Sequence, residues 1–434
     1  MKRVLVLTFD FPPQGGTGTL RVAKFVKYLP QFGWQPIVVC SDAAWNPDDS
    51  LAHDVPPRVP VHRVPWPRLI RSLFGSRPPY SARSSRAPGG TNTSRLRPLR
   101  SPLARSVRRL LVPDVNVLWT HAAWKACLDA LRDQPCDAIL TTSPPHSIHF
   151  VGYRLRSRFN VPWIADFRDA WTAENQALRQ AGRLRFALQR GMERRILSRC
   201  DRAVMVTEPL AQRAVDTFDA RLACKVRTIT NGFDPDDFAS PPPVLDNGIF
   251  SIAFVGTILG PQVDNAFPDG LRLALAQSES FRKAARVRFV GRLDPSYHAR
   301  LAGLEANVDV QDFVPHNEAI DVMRHAHVLL LVLPSTELAR MTFTNKFFEY
   351  LAARRPILAI VPPGIVSDIV TREKIGMVAH PDDAQAIARA LLAMFESPPA
   401  WLDPCGMPDS ALARFDRREL TRELVAVLDE MTGG

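Results

Sequence analysis

The sequence predicts an α/β protein built from two doubly wound lobes, and three observations predict it. Short apolar runs alternate with amphipathic, helix-compatible stretches along the chain, the pattern of stacked βαβ units and a parallel sheet. The runs fall into two series separated by a turn and a proline run. At 434 residues, with 46% hydrophobic and 23% charged content, the chain is globular, and at about 100 to 200 residues per domain it divides into two.

The first series is Val4 to Leu7, Ile37 to Cys40, Ala138 to Leu140, Trp163 to Ala165 and Ala203 to Val206. The second is Ile252 to Val255, Val287 to Val290, Val328 to Val332 and Ile357 to Val361. Between them, Thr230-Asn231-Gly232-Phe233-Asp234 is a turn signal, and with Pro241-Pro242-Pro243 it places the linker at 231–248. The expected division is an N-terminal lobe over 1–230, a C-terminal lobe over 231–414 and a last helix within 415–434. Leu420, Leu424, Val427, Leu428 and Met431 recur there at helical spacing, and this helix is expected to pack back across the lobes. Ligands of open α/β sheets bind beyond the carboxyl ends of the strands. Two such lobes facing an interdomain cleft would therefore carry their chemistry in loops that follow strands.

The formal charge of +11 is uneven. Residues 55–113 hold thirteen Arg and no Asp, Glu or Lys. Within them an Arg/Pro/Ser-rich insert, at about 66–109, has too few large apolar residues to fold alone. Basic residues near anionic lipid gain about 1 kcal/mol each, so an anionic membrane surface or an acidic acceptor is the expected partner of this insert, with a solvated loop as the alternative. No aromatic ladder interleaves the arginines, and nucleic acid is not an expected partner. The six cysteines form no close pairs of the kind that hold zinc or build a disulfide framework. The first apolar run is too short for a signal peptide, and no apolar stretch approaches the roughly 20 residues of a membrane-spanning helix. The expected location is cytoplasmic, peripheral on the inner face of the cell membrane.

Four loops carry candidate chemistry. Phe11-Pro12-Pro13-Gln14-Gly15-Gly16-Thr17-Gly18-Thr19 follows the first strand and precedes an apolar helix over Leu20 to Leu29. Gly15 and Gly16 let the backbone approach a ligand, and the helix start offers free N–H groups to a phosphate. The dinucleotide fingerprint is not met, because Arg21 stands where its third glycine is needed. Thr141-Thr142-Ser143-Pro144-Pro145-His146 follows another strand and puts His146 at a helix start near Ser147, where the dipole lowers its pKa; His149 lies three residues on and could share that face. Ala165-Asp166-Phe167-Arg168-Asp169-Ala170-Trp171 gathers two carboxylates, a guanidinium and an indole in one loop, groups suited to a sugar acceptor. Of the carboxylates, Asp166 is preferred over Asp169 as the one that acts, and the alternative is an Asp–Arg pair that braces the loop.

The fourth stretch is Thr342 to Ala353. With Thr342 or Thr344 as N-cap, Lys346 falls in a first helical turn, where a cation is poorly matched to the helix dipole and an anionic ligand would resolve the conflict. Lys346 and Glu349 are three apart and share a face, which suits an ammonium reading phosphate beside a carboxylate accepting ribose hydroxyls. A surface ion pair is the competing reading. Asp234-Pro235-Asp236 has the Asp-x-Asp spacing of some metal sites, but it begins a helix after a turn, and no metal ligand or cofactor is expected.

Taken together, Phe11 to Gly16, Ser143 to His146, Ala165 to Trp171, Asn231 to Asp234, Phe254-Val255-Gly256-Thr257, Phe313-Val314-Pro315 and Lys346 to Ala353 resemble, in order and over nearly the whole chain, the family 4 glycosyltransferases. These form a large retaining group of GT-B fold, and the resemblance is to the bacterial branch that opens with Phe-Pro-Pro-x-Gly-Gly. The resemblance implies two Rossmann-like lobes, an acceptor held by the first, and a nucleotide diphosphate-sugar held by the second. It implies that Gly16 approaches the diphosphate or donor sugar, His146 meets the sugar near the reacting centre, and Val314 meets the base through its backbone. Lys346 would bind the diphosphate and Glu349 the ribose; Gly256 and Thr257 fall in the donor-binding strand end. Two positions depart from the pattern. Met341 stands where many members have a Glu for the donor sugar, and Gly256-Thr257-Ile258-Leu259-Gly260 lacks the usual Arg and Lys, which leaves Lys346 with more of the phosphate charge, helped by Arg292 or Arg340. The implied activity is sugar transfer to a glycan or lipid-linked acceptor in surface or exopolysaccharide biosynthesis. The alternative is a catalytically weak homologue that binds nucleotide sugar or serves as an assembly partner, which Met341 favours.

Overall fold

A computed structural model describes residues 1–42, 48–67, 110–173, 175–240, 243, 245, 248–396 and 409–433. Apart from its first two residues, the expected insert at 66–109 lies outside them. The chain forms two compact units, Met1–Thr230 with Arg417–Gly434, and Asn231–Asp416.

The first unit is built on a seven-stranded sheet of β1 (Lys2–Leu7), β2 (Trp34–Ser41), β3 (Val61–Val64), β4 (Ala138–Ser143), β5 (Trp163–Phe167), β6 (Arg202–Met205) and β7 (Val226–Thr228). All neighbours are parallel, in the order β3-β2-β1-β4-β5-β6-β7. The strands read as unbroken apolar runs because both faces are buried. In β1, Val4 and Val6 enter one core with Val22, Phe25 and Val26, while Leu5 and Leu7 enter another with Ala123 and Ile148. The helices that cover these faces include α1 (Thr17–Tyr28), α2 (Thr120–Asp133), α3 (Ile148–Phe159), α4 (Arg183–Arg199) and α5 (Glu208–Phe218).

The second unit repeats the plan with β8 (Phe250–Ile258), β9 (Ala285–Leu293), β10 (Val308–Gln311), β11 (Val328–Val332), β12 (Ile357–Ile360) and β13 (Gly376–Ala379). Again every pairing is parallel, in the order β10-β9-β8-β11-β12-β13. Helices α6 (Phe267–Gln277), α7 (His316–Arg324), α8 (Asn345–Ala352), α9 (Ile365–Arg372) and α10 (Ala384–Glu396) flank it. The last helix, α11 (Arg417–Thr432), belongs to the first unit, where Leu420, Leu424 and Leu428 are buried with Val22 and Val26 of α1.

Each sheet reverses its strand order once, between β1 and β4 and between β8 and β11. Such a switch point opens a crevice beyond the strands' carboxyl ends. The Gly15–Gly16 loop and the Ser143–His146 loop leave the first switch point; the segment leading to Lys346 leaves the second, where Gly256 lies near the end of β8. Among the described residues no helix is long and apolar enough to cross a membrane, and Cys40, Cys127, Cys136, Cys200 and Cys224 are free thiols.

Candidate functional site

On the first unit, α1 begins at Thr17, earlier than the apolar spacing suggests, so Gly16 is its N-cap. Gly16 has φ +106° and nothing near the place a Cβ would occupy. That backbone favours glycine, and the helix start has no side-chain cap and no acidic residue in its first turn. Its N–H groups are oriented to receive an anion. Gly15 is buried just before it.

His146 lies at the end of the β4 loop. Its Nδ1 is 3.1 Å from Ser143 Oγ, and its ring lies flat on Trp171, with centroids 4.7 Å apart and planes 3° apart. Burial, with the charge of Arg168 adding to it, lowers its pKa to about 3. The cause therefore differs from the helix dipole expected, and the imidazole is neutral at physiological pH. The turn into α3 is fixed by Asp114, which accepts from Ser147 N at 3.0 Å and Ser147 Oγ at 2.7 Å. His149 does not share the face of His146. It is fully buried, 2.8 Å from Thr141 Oγ1 through Nδ1 and packed on Phe167, which makes it a core residue.

The Ala165–Trp171 loop requires three corrections. Asp166, expected to act on substrate, is 1% exposed and bound in bidentate fashion by Arg21, at 3.2 and 2.9 Å, and by Thr142 Oγ1 at 2.7 Å. Arg21 also donates to the carbonyls of Ile229 and Thr230. A carboxylate held this way frames the sheet end and is not placed to take a proton. Arg168, expected to meet acceptor, donates to the carbonyls of Gly18, Ser143 and Pro144; it ties the two switch-point loops to each other. Trp171 is buried under His146, its Nε1 donating to Gln189 at 2.9 Å, so its face serves the histidine and not a sugar. Asp169 alone of the group is exposed.

Behind Trp171, α4 contributes Gln189 and Glu193, one turn apart and both buried. Gln189 passes from Trp171 to the Pro113 carbonyl, and Glu193 accepts from the backbone N–H and hydroxyl of Thr172. Burial pushes the Glu193 carboxyl up to about 7 against those hydrogen bonds. Sequence reasoning missed Arg21, Asp114, Gln189 and Glu193. The available signal was the lone acid in an otherwise basic helix, and Arg21 within an apolar helical stretch.

On the second unit, Thr344 is the N-cap of α8 and Lys346 lies in its first turn. The Lys346 ammonium rests 4.2 Å from the centroid of Phe254, and its chain crosses the bare Cα of Gly256. A Cβ there would fall 2.0 Å from Lys346 Cε, and Gly256 has φ +132°. Gly256 pairs in register with Gly291, whose own Cβ would strike the Gly256 carbonyl at 2.1 Å. Two facing glycines thus make room for the lysine at the switch point. Desolvation lowers the Lys346 pKa to about 8, with Glu349 opposing the shift. Beside it the Thr344 hydroxyl is buried without a hydrogen-bond partner, a polar group at an uncapped helix start.

Thr257 is half-buried and in register with Arg292 on β9, whereas Arg340 is exposed and paired with Glu337. Val314 is buried between β10 and α7, leaving its neighbour Phe313 64% exposed. Asp234 caps the turn that follows it through Asp236 N at 3.1 Å. The described residues contain no cluster of three metal-ligating side chains.

Comparison with known proteins agrees with this two-unit plan. Residues 15–232 match the model of a "glycosyl transferase 4-like domain", and residues 250–397 that of "glycosyl transferases group 1". Curated proteins give no match by sequence. Among solved structures, sucrose-phosphate synthase from Thermosynechococcus elongatus superposes with a TM-score of 0.66 at 17% identity, over 100% of both chains. A glycosyltransferase from Rickettsia africae gives 0.63 at 12%, covering 99% of this chain and 98% of its own. HepE of Anabaena, solved in complex with UDP and glucose, gives 0.62 at 14%, covering 98% and 99%. At these identities the likeness is one of fold, the GT-B arrangement of two Rossmann-like domains.

Proposed function

The chain belongs to the glycosyltransferases that carry a glycosyl transferase 4-like domain followed by a group 1 domain, and from that premise we propose that it moves a sugar, with retention, from a nucleotide diphosphate-sugar to a glycan or lipid-linked acceptor. The observation that carries this reading is Lys346 laid across Gly256, at the start of α8 and over the carboxyl-terminal half of β8, past its last pairing with β11. A cation at a helix start without a side-chain cap is a mismatch until an anion arrives, and a diphosphate would match both the ammonium and the positive end of the helix dipole. Glu349, one turn on, accepts the ribose hydroxyls, the Val314 backbone meets the base, and Gly256 and Thr257 line the phosphate path.

In the first unit, Gly15 and Gly16 approach the donor from α1. Neutral His146, held by Ser143 and Trp171, donates a hydrogen bond to the sugar near the reacting carbon. The departing diphosphate is stabilised electrostatically by Lys346. Asp169 is the remaining exposed carboxylate of its loop for an acceptor hydroxyl. Retention, an acceptor in surface polysaccharide assembly and work at the inner face of the membrane complete the proposal; the arginines of 55–113 would meet anionic lipid there. Met341, standing where a donor-sugar carboxylate is common in the resembling family, supports the second reading of a nucleotide-sugar-binding homologue with weak turnover.

Turnover and binding across a panel of UDP- and GDP-sugars test the reading. Glu349→Ala should weaken nucleotide binding itself, whereas His146→Ala should slow transfer with binding nearly unchanged. A chain that binds no nucleotide and neither transfers nor hydrolyses any sugar in the panel would overturn the assignment; binding without turnover would select the second reading.

A further inference from the structure

In the transfer reading His146 meets the donor sugar, yet its own polar contact, Nδ1 to Ser143 Oγ at 3.1 Å, fixes only one edge of the ring. An imidazole held at one edge still has its two side-chain torsions to turn about, so its place depends on what fixes its backbone and its face. Both are fixed from one short segment, Pro113–Asp114. The Asp114 carboxylate serves the backbone. It accepts from His146 N, from Ser147 N at 3.0 Å and Ser147 Oγ at 2.7 Å, and from Asn116 N at 3.0 Å. Ser147 is the N-cap of α3, and its own side chain caps none of the helix's N–H groups. The positive end of this helix is therefore met by a carboxylate brought from 33 positions earlier in the chain.

The face of the ring is served by Pro113. The imidazole lies on the Trp171 indole, with centroids 4.7 Å and planes 3° apart, and that indole is pinned on its polar edge. Trp171 Nε1 donates to Gln189 Oε1 at 2.9 Å, and Gln189 Nε2 donates in turn to the Pro113 carbonyl at 3.1 Å. The next residue, Thr172, donates from its N–H at 3.1 Å and from its hydroxyl to Glu193, one helical turn beyond Gln189. Trp171, Gln189 and Glu193 are all buried. Packing alone would ask only for an apolar side chain of the right size at position 189. An amide with both ends engaged in a dry place sets the plane of the indole as well, because either end left unpaired there is costly.

We infer that Asp114 and Gln189 are positioning residues for His146: tied to adjacent residues of one segment, they set the backbone and the ring plane of the imidazole together. Asp114 acts through the peptide of His146 itself, and Gln189 acts through the indole on which the ring lies. The inference rests on the transfer reading for its purpose, whereas the position of the ring can be measured without any turnover.

The test uses two variants of the full chain, each made alone and together with His146→Ala. Asp114→Asn keeps the size of the side chain and replaces one accepting oxygen by an amide group. Gln189→Met keeps the volume and removes both hydrogen bonds. Transfer is measured with the nucleotide sugar of the UDP and GDP panel that the wild type turns over, and UDP and GDP binding by calorimetry. The ring protons of His146 are followed by NMR, assigned through their loss in His146→Ala. Each variant should lower kcat by about ten- to a hundredfold, the scale of a reacting group displaced by up to about 1 Å, with donor KM and nucleotide affinity unchanged. Neither should lower kcat further once residue 146 is alanine. The ring protons, shifted upfield in the wild type by the indole face, should move toward the position of an unstacked histidine in both variants. Equal losses of kcat with and without the histidine would overturn the inference, and so would ring protons that stay where the wild type has them or nucleotide binding lost along with activity. A wild type that turns over no sugar would overturn the transfer reading alone, with the ring protons still deciding whether Asp114 and Gln189 hold the imidazole.

Discussion

Arg21 and Asp166 show how one residue's meaning depends on a partner far away in the chain. Both side chains are nearly inaccessible and form a bidentate pair. Removing one partner leaves a buried charge uncompensated, which costs about 3–5 kcal/mol. Asp166→Ala is therefore expected to lower the unfolding free energy of the first unit by that amount in denaturant titration; a loss below about 1 kcal/mol, with transfer abolished, would return Asp166 to the chemistry. The carboxylate was legible as important because it ends a strand, but nothing near it announces Arg21, 145 positions earlier. Arg168 and Trp171 were misplaced for the same reason: the carbonyls and the imidazole that hold them come from other loops. Lys346 and Glu349 were legible as a pair because one helical turn brings them to one face, a relation that spacing alone states.

At the scale of elements, all nine apolar runs read from the sequence lie in the central or inner part of the two sheets. The strands that escaped notice are β3, β7, β10 and β13, which are the four sheet edges. Each has three or four residues, such as Val-His-Arg-Val in β3 and Val-Arg-Thr in β7, and an edge strand covered on fewer sides needs no continuous apolar run. The apolar spacing puts the start of α1 at Leu20, because Thr17, Gly18 and Thr19 have the composition of a loop, whereas the helix begins at Thr17 with Gly16 as its N-cap. The paired glycines of β8 and β9 separate two effects. In Gly291→Ala the new Cβ meets backbone, so strand pairing must give way and thermal stability should fall markedly. In Gly256→Ala it meets the movable end of Lys346, with about 1–3 kcal/mol of backbone strain; nucleotide binding should suffer more than in any variant of equal stability. Equal melting temperatures for the two variants would contradict this contrast.

For the whole molecule, the double series of apolar runs was enough to give two doubly wound units, because parallel strands buried on both faces leave an unmistakable pattern. The strand order was not legible, and it is the order that creates the switch points and brings Gly16 near His146's loop in one unit and Gly256 near Lys346 in the other. The second unit is proposed to hold a nucleoside diphosphate through the Lys346 ammonium. Calorimetric titration of UDP and GDP into the wild type and Lys346→Met, repeated from pH 7 to about pH 9.5, tests it most directly. A charge-assisted contact worth about 1.5–3 kcal/mol predicts an affinity about ten- to a hundredfold lower in the variant. With the lysine pKa near 8, its charged form declines above that pH, so wild-type affinity should fall on the alkaline side with proton uptake on binding, and the variant should show neither trend. Nucleotide affinity unchanged by Lys346→Met and flat across this range would contradict the account.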